Sequence, residues 1–414
     1  MSFQKQKSLR WCYLILSVGI LLCLGLIYAW SVFRVPLEQE FGWSKAETSI
    51  TFSISMMMFC LGGVVSGFLT ARKGIKITLI ACALCLGAGF SSASQISSLG
   101  GLYATYGILC GFGVGLGYNC VISTIVRWFP DKMGLVSGIS LMGFGLGAML
   151  LGTIAASLIS VIGWRMTFLV IAAVFCGVVF IGVWRLRTVP LEFLQTLNSN
   201  INKKKQAVEE LSTMQMVCRR NFWLYFAWAA SLSAAGLAVI NISTGYAIEF
   251  VSGDLAEAAA VAGIVSIANG VGRVVFGQLF DSKGYRMTMV VITVLSMLAG
   301  LVFVVADMTK NIQFLVIAFV AIGLMYGGVT PTNSAYTAYF FGHKQYALNF
   351  SVTNLNLIVA SYAGPLCASG DPMTAFYIMI GLSMIAVFFI LGIRKPNAID
   401  YERNCTDERN IEFD

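Results

Sequence analysis

The chain has 414 residues, 58% of them hydrophobic and 11% charged, with a mean hydropathy of +0.81. Soluble domains carry about 25% charged residues, so this composition excludes an ordinary soluble protein and points to repeated membrane crossings. The net charge of +8 is not a nucleic-acid footprint either, because the basic residues sit in short loops between apolar runs rather than on one patch.

In chain order, twelve apolar runs are long enough to span a bilayer: 12–33, 48–70, 77–97, 99–126, 134–160, 166–186, 222–249, 257–280, 287–306, 312–340, 347–369 and 372–393. All read as helices, since an open sheet edge cannot lie in lipid and the runs are too long and too uniformly apolar for barrel strands. The first follows Lys5, Lys7 and Arg10 as a signal peptide would, but it is too long and lacks a small-residue cleavage site, so it counts as the first span. The fold class expected is an all-α membrane protein of twelve transmembrane helices in two six-helix bundles.

A long polar stretch, 187–221, separates the sixth and seventh runs. The expected organisation is a first bundle at 1–186, a linker at 187–221, a second bundle at 222–393 and a tail at 394–414. Of the 27 Lys and Arg residues, 22 fall on the side shared by both termini. The positive-inside rule then places both termini and the linker in the cytoplasm, and the chain in the cell membrane as a multi-pass protein.

The two halves share a weak repeat. "GFLTARKGIK" (67–76) follows the second span and contributes Gly67, Arg72 and Gly74; "GQLFDSKGYR" (277–286) follows the eighth and contributes Gly277, Asp281 and Gly284. Two six-helix halves with matched loops read as a transporter built from parallel repeats, with its site at their interface. These loop residues are the expected gating elements. Glycine is dense at 107–119 and 137–152, where small residues let backbones approach closely.

Three stretches narrow the family: "GLIYAWSVF" (25–33), "RWFPDKMGLVSGISLMGFGLGA" (127–148) and "IANGVGRVVFGQLFDSKG" (267–284). They resemble the oxalate:formate antiporter family of the major facilitator superfamily, relatives of the monocarboxylate transporters. The resemblance implies alternating-access transport of small carboxylates, with an arginine on the eighth span facing the cavity. Arg273 is that residue here. The family's naming antiporter also has a lysine on the eleventh span, whereas "NFSVTNLNLIVASYAGP" (349–365) contains none. In the proton-coupled cousins an aspartate commonly lies one turn before the arginine; here that position is Asn269. The first loop also departs from the superfamily's pattern, with Ala71 where an acid is usual.

Arg273 is the residue that most needs an explanation. It lies seven residues from the end of the eighth span, roughly 10 Å inside a core about 30 Å thick. A charge at the bilayer centre costs about 2.5–3.5 kcal/mol on insertion scales, so it marks a functional site by default. A guanidinium presents a planar fork that matches a carboxylate bidentately. The alternative is an arginine reaching the headgroups or bonding backbone carbonyls. Further expected cargo contacts are Asn354, Asn269, Tyr28, Tyr118, Asn119, Tyr326 and Asn356, with Asn241 and Asn333 as polar groups that could equally make interhelical bonds.

No Asp or Glu lies deep within a span, and the single histidine, His343, is in a loop. Exchange or facilitated transport is therefore expected over proton symport through the protein. The main expectation is a carrier of a formate-, pyruvate- or lactate-like anion. A dicarboxylate such as oxalate, or a bulkier organic anion, is the second reading, and an anion-binding membrane sensor the third. An enzyme is not expected, because no His, carboxylate or thiol constellation sits at membrane depth. Nor is a cofactor or metal: Cys82 and Cys85 form a CxxC without further ligands. The expected partners are a small carboxylate substrate and the lipid bilayer, with no nucleic acid, and the chain is expected to act as a monomer.

Overall fold

The computed structural model describes residues 3–190, 193, 210–247, 250, 255–367 and 372–394. Most of the linker and the tail beyond Arg394 lie outside the described residues, as does the side chain of Asn241. What is described is helical, with short turns and no strand.

Local chemistry marks where each helix starts and stops. Helix α1 runs through Phe3–Leu24, a 3₁₀ turn at Gly25–Ala29, and Trp30–Phe41. Gly42 ends it in the left-handed region, with φ 69°. Ser44 and Glu47 then form a reciprocal capping box that opens Lys45–Ala93. Gly74 folds that segment into α2 (45–73) and α3 (75–93). Helix α4 is Leu99–Trp128, π-helical over Tyr103–Cys110.

Met133–Arg185 folds at Gly163 into α5 (133–162) and α6 (164–185). After α7 (Arg220–Ala247), Leu255–Thr309 folds at Gly284 into α8 (255–283) and α9 (285–309). Helix α10 is Ile312–Phe341, α11 comprises Tyr346–Thr353 and Asn356–Cys367, and α12 is Pro372–Gly392. Eight segments are long and apolar enough to cross a membrane. Three of them are doubled at these glycines, and the two-piece α11 brings the described rods to twelve.

The doubling glycines share one conformation: φ and ψ are 82° and 171° at Gly74, 75° and 163° at Gly163, and 82° and 174° at Gly284. Only glycine occupies that region cheaply. A methyl group at any of the three would meet open space, so backbone geometry rather than crowding demands the residue.

Large apolar side chains such as Ile15, Leu84, Phe388 and Leu391 point outward, as lipid-facing positions must. Inside, the buried apolar residues form two clusters. One is built on Phe33, Phe90, Tyr106 and Phe168, the other on Tyr225, Trp228, Phe303 and Phe376. Ala338, Tyr346 and Phe350 from α10 and α11 pack into the first cluster, so the halves interlock at one end.

That end carries the chain's described extremities. Arg10 pairs with Asp131 at 2.7 Å in the α4–α5 turn, and Asn221 at the start of α7 donates to the Arg394 carbonyl at 2.9 Å. We call it the linker end. Among the described residues, the hydrogen bonds between halves lie there or at mid-depth, apart from a weak contact of 3.6 Å from the Tyr362 hydroxyl to the Met57 sulfur. The halves are thus closed on each other at the linker end and loosely joined away from it.

Candidate functional site

Helices α5 and α8 approach closely enough to bring Arg273 between the halves. A methyl group on Gly138 would run into the Arg273 carbonyl, and one on Gly134 into the Gly277 carbonyl. Higher on α5, Gly145 makes room for the guanidinium itself: a Cβ there would lie 2.9 Å from Nη1. The glycine-dense stretch of α5 is therefore the bed on which α8 and its arginine rest.

Arg273 is buried, with 8% of its surface exposed. Its Nε donates to Asn269 Oδ1 at 3.2 Å, one helical turn earlier, and Nη1 donates to the Leu141 carbonyl of α5. No acidic group pairs with it among the described residues. A guanidinium has five N–H donors, so three remain for another acceptor. The backbone-carbonyl alternative is thus partly realised, but it accounts for one donor only.

Tyr28 of α1, Tyr118 of α4 and Tyr326 of α10 all lie within electrostatic reach of this guanidinium, and Tyr28 also senses the other two hydroxyls. Tyr28 keeps 42% of its surface open. An aromatic frame fixes these rings. Phe144 packs edge-on to Tyr28 at 5.4 Å and beside Tyr118 at 5.0 Å, while Phe59 meets Tyr118 edge-on at 5.0 Å. Gly236 of α7 leaves the space that the Tyr326 ring fills.

Tyr118 also forms part of a second feature, a shallow recess with room for little more than a water, lined by Phe59, Cys60, Gly63, Tyr118, Asn119, Ser351 and Asn354. Asn119 bridges the halves there: Nδ2 donates to the carbonyls of Gly63 at 2.8 Å and Ala347 at 2.9 Å. Asn354 sits where α11 breaks and accepts from Asn333 Nδ2 at 3.2 Å. Asn356 is not part of the recess. It is fully buried, and its amide turns back to the Thr353 carbonyl at 2.6 Å. Of the expected cargo contacts, Asn269 bonds Arg273, Tyr28, Tyr118 and Tyr326 lie near its guanidinium, and Tyr118, Asn119 and Asn354 line the recess.

The loop residues lie at the linker end. Asp281 accepts from the backbone N–H groups of Gly134 at 2.9 Å and Leu135 at 2.8 Å, capping the start of α5 with a carboxylate. Gly277 lies against Gly134, and Gly67 against the Leu348 backbone. Arg72 is exposed, and Gly74 and Gly284 make the turns. The α10–α11 turn is held from both sides: Arg127 donates to the carbonyls of His343 and Lys344, the latter at 3.1 Å, while Glu210 accepts from the His343 and Lys344 N–H groups at 2.8 and 2.6 Å.

Sequence reasoning missed the aromatic frame, the Leu141 carbonyl and the Glu210 contacts. Phenylalanines are too common in spans to stand out, and a backbone acceptor leaves no trace in residue identity. The glycines of 137–152 were the one available signal for the bed beneath Arg273.

A family model for the Major Facilitator Superfamily matches residues 15–365. The chain belongs to the major facilitator superfamily. It is a multi-pass membrane transporter of that kind. It is 26% identical over 352 residues to YhjX of Escherichia coli (strain K12), an MFS-type transporter, covering 85% of this chain and 86% of that one. It is 27% identical over 348 residues to the oxalate:formate antiporter of Oxalobacter formigenes, covering 80% of each. Among solved structures it is similar to the superfamily transporter FucP in the outward conformation, with a TM-score of 0.67 at 12% identity, covering 91% of this chain and 97% of that one.

Proposed function

We propose that this transporter carries a small monocarboxylate by alternating access, with Arg273 as the anchoring cation. The observation that supports this most is a buried guanidinium between the halves whose partners among the described residues are an amide and a carbonyl, with no acid. A buried charge without a counter-ion is costly, and an arriving carboxylate supplies one while taking the three remaining N–H donors. The relative from Oxalobacter formigenes, named for oxalate and formate, supports the same chemical class. One fixed cation favours a monoanion, and α11 offers neither a lysine nor, with Asn356 turned away, a second amide.

The lack of a buried carboxylate among the described residues supports exchange or facilitated transport over proton symport through the protein. With the linker end in the cytoplasm, as the basic loops suggest, the closed end faces inward and the cleft opens outward. The decisive experiment is counterflow in proteoliposomes, with one candidate acid inside and a labelled one outside. Trans-acceleration is expected, insensitive to a protonophore. Arg273→Gln is expected to abolish it with membrane insertion intact; full activity in that variant would remove the anion site.

A further inference from the structure

Where α7 begins and α12 ends, the two helices lie side by side. A methyl group on Gly392 would sit 3.0 Å from Leu224 Cδ1 and 3.5 Å from Arg220 Nη2, so Leu224 fills the seam and the Arg220 guanidinium lies across its end. The backbones are tied at the same place: Asn221 donates from Nδ2 to the Arg394 carbonyl at 2.9 Å and accepts from the Arg394 N–H at 3.2 Å. Successive helical residues turn by about 100°, and α7 and α12 run antiparallel, so the neighbours of Leu224 and Gly392 show which side of the seam faces out. Tyr225 and Ile393 are buried on one side, whereas Trp223, Phe388 and Leu391 are exposed on the other.

The outer side of the seam is therefore an apolar trough with cations at its linker end. Arg220 and Arg394 are both exposed there, and no acidic side chain pairs with either among the described residues. The Asn221 tie brings these two like charges to one junction, which an anion between them would relieve. Trp223 stands one turn above Arg220, and its ring is held in place because Nε1 donates to the Val217 carbonyl at 2.8 Å. A guanidinium takes a phosphate through two parallel N–H bonds, and an indole favours the level of the headgroups. Free phosphate would use the cations but not the apolar walls, and a zwitterionic lipid would set its own cation against the arginines. We propose that the α7–α12 seam binds one anionic phospholipid of the leaflet at the linker end. Its phosphate sits on Arg220 and Arg394, and an acyl chain runs along Trp223, Leu391 and Phe388. The site lies outside the contact between the halves and does not depend on which cargo is carried.

Lipids with brominated acyl chains quench a tryptophan that they touch. The full chain is reconstituted in phosphatidylcholine with rising mole fractions of brominated phosphatidylglycerol or, separately, of brominated phosphatidylcholine, and the Trp223 signal is taken as the difference from Trp223→Phe. Half-maximal quenching is expected at about tenfold lower mole fraction for the phosphatidylglycerol, since each cation near the surface adds about fivefold to anionic-lipid affinity. Arg220→Gln combined with Arg394→Gln is expected to bring the two lipids level, while Arg220→Lys keeps most of the preference. Lys76→Gln combined with Arg286→Gln, at exposed cations of two other turns at the same end, is expected to leave it unchanged. Equal quenching by the two lipids in the wild type would overturn the site. So would a loss in the Lys76 and Arg286 variant as large as in the seam variant, which would reduce the effect to surface potential. Displacement of the lipid by millimolar glycerol phosphate would also overturn it, leaving an open phosphate site in its place.

Discussion

The turns after α2 and α8 share a backbone but do different work. Gly74 and Gly284 have the same φ of 82° and nearly the same ψ, so the chain folds back identically in both halves. In the second copy Asp281 then clasps the start of α5 through two N–H groups. The first copy has Ala71 at the corresponding place, and its half grips the other instead through Asn119 and Arg127 on α4, which bind carbonyls at the start of α11 and in the turn before it. One closure uses a carboxylate on N–H groups, the other uses donors on C=O groups. Geometry has been kept across the repeat while the chemistry of the lock has moved to another helix.

The largest effect is expected where the second closure depends on backbone contact. Gly138→Leu overfills the α5–α8 contact, which should cost the closed state about 1–3 kcal/mol. Spin labels at the linker ends of α5 and α8 should report a longer distance; an unchanged one would mean that the glycine contact is not what seats the halves. Next comes Asp281→Ala, which removes a charged cap from a helix N-terminus, an interaction of about 0.5–2 kcal/mol. The same label pair should show the closed-to-open ratio falling by about two- to thirtyfold.

Arg127→Gln tests the opposite closure. It should loosen the α10–α11 turn without moving α5 from α8, read as faster amide exchange over residues 343–349 alone. The smallest effect concerns His343. Burial pushes its pKa below the ordinary 6.5, Arg127 adds to that lowering and Glu210 opposes it. The docked turn thus refuses a proton that the released turn accepts, so docking is at full strength above about pH 6.5 and weakens as pH falls below it. Amide protection in 210–217, taken relative to the intrinsic exchange rate at each pH, should fall between about pH 7.5 and 5.5, and His343→Gln should flatten that response.

Much of this architecture is legible in residue order because it follows from periodic, local rules. Apolar run length marks the rods, and turn glycines mark the hairpins. Arg273 and Asn269 are four residues apart on one helix, so their hydrogen bond follows from spacing. Asn356 shows the limit. Two residues after Asn354 in a helix is about 200° around the axis, so both could not face one recess, and the break in α11 does not bring them together. The break itself has no proline or glycine to announce it. The partners that hold Asn119 and, through Asn333, Asn354 come from α2, α7 and α10, and no window along the chain contains them.

The linker joins the halves less than its length suggests. Trp128 donates to the Arg187 carbonyl at 2.9 Å, and the Phe193 ring packs against the same indole at 5.7 Å. At the far side, Leu211 donates to the Phe341 carbonyl at 3.1 Å, and Met216 is fully buried. Both extremities of the connector are thus stitched to their own bundles, leaving 194–209 between the anchors. Among the described residues, the register between the bundles is held by the carbonyl and carboxylate grips at their shared end, each a clamp of fixed polarity that needs no tether to set it.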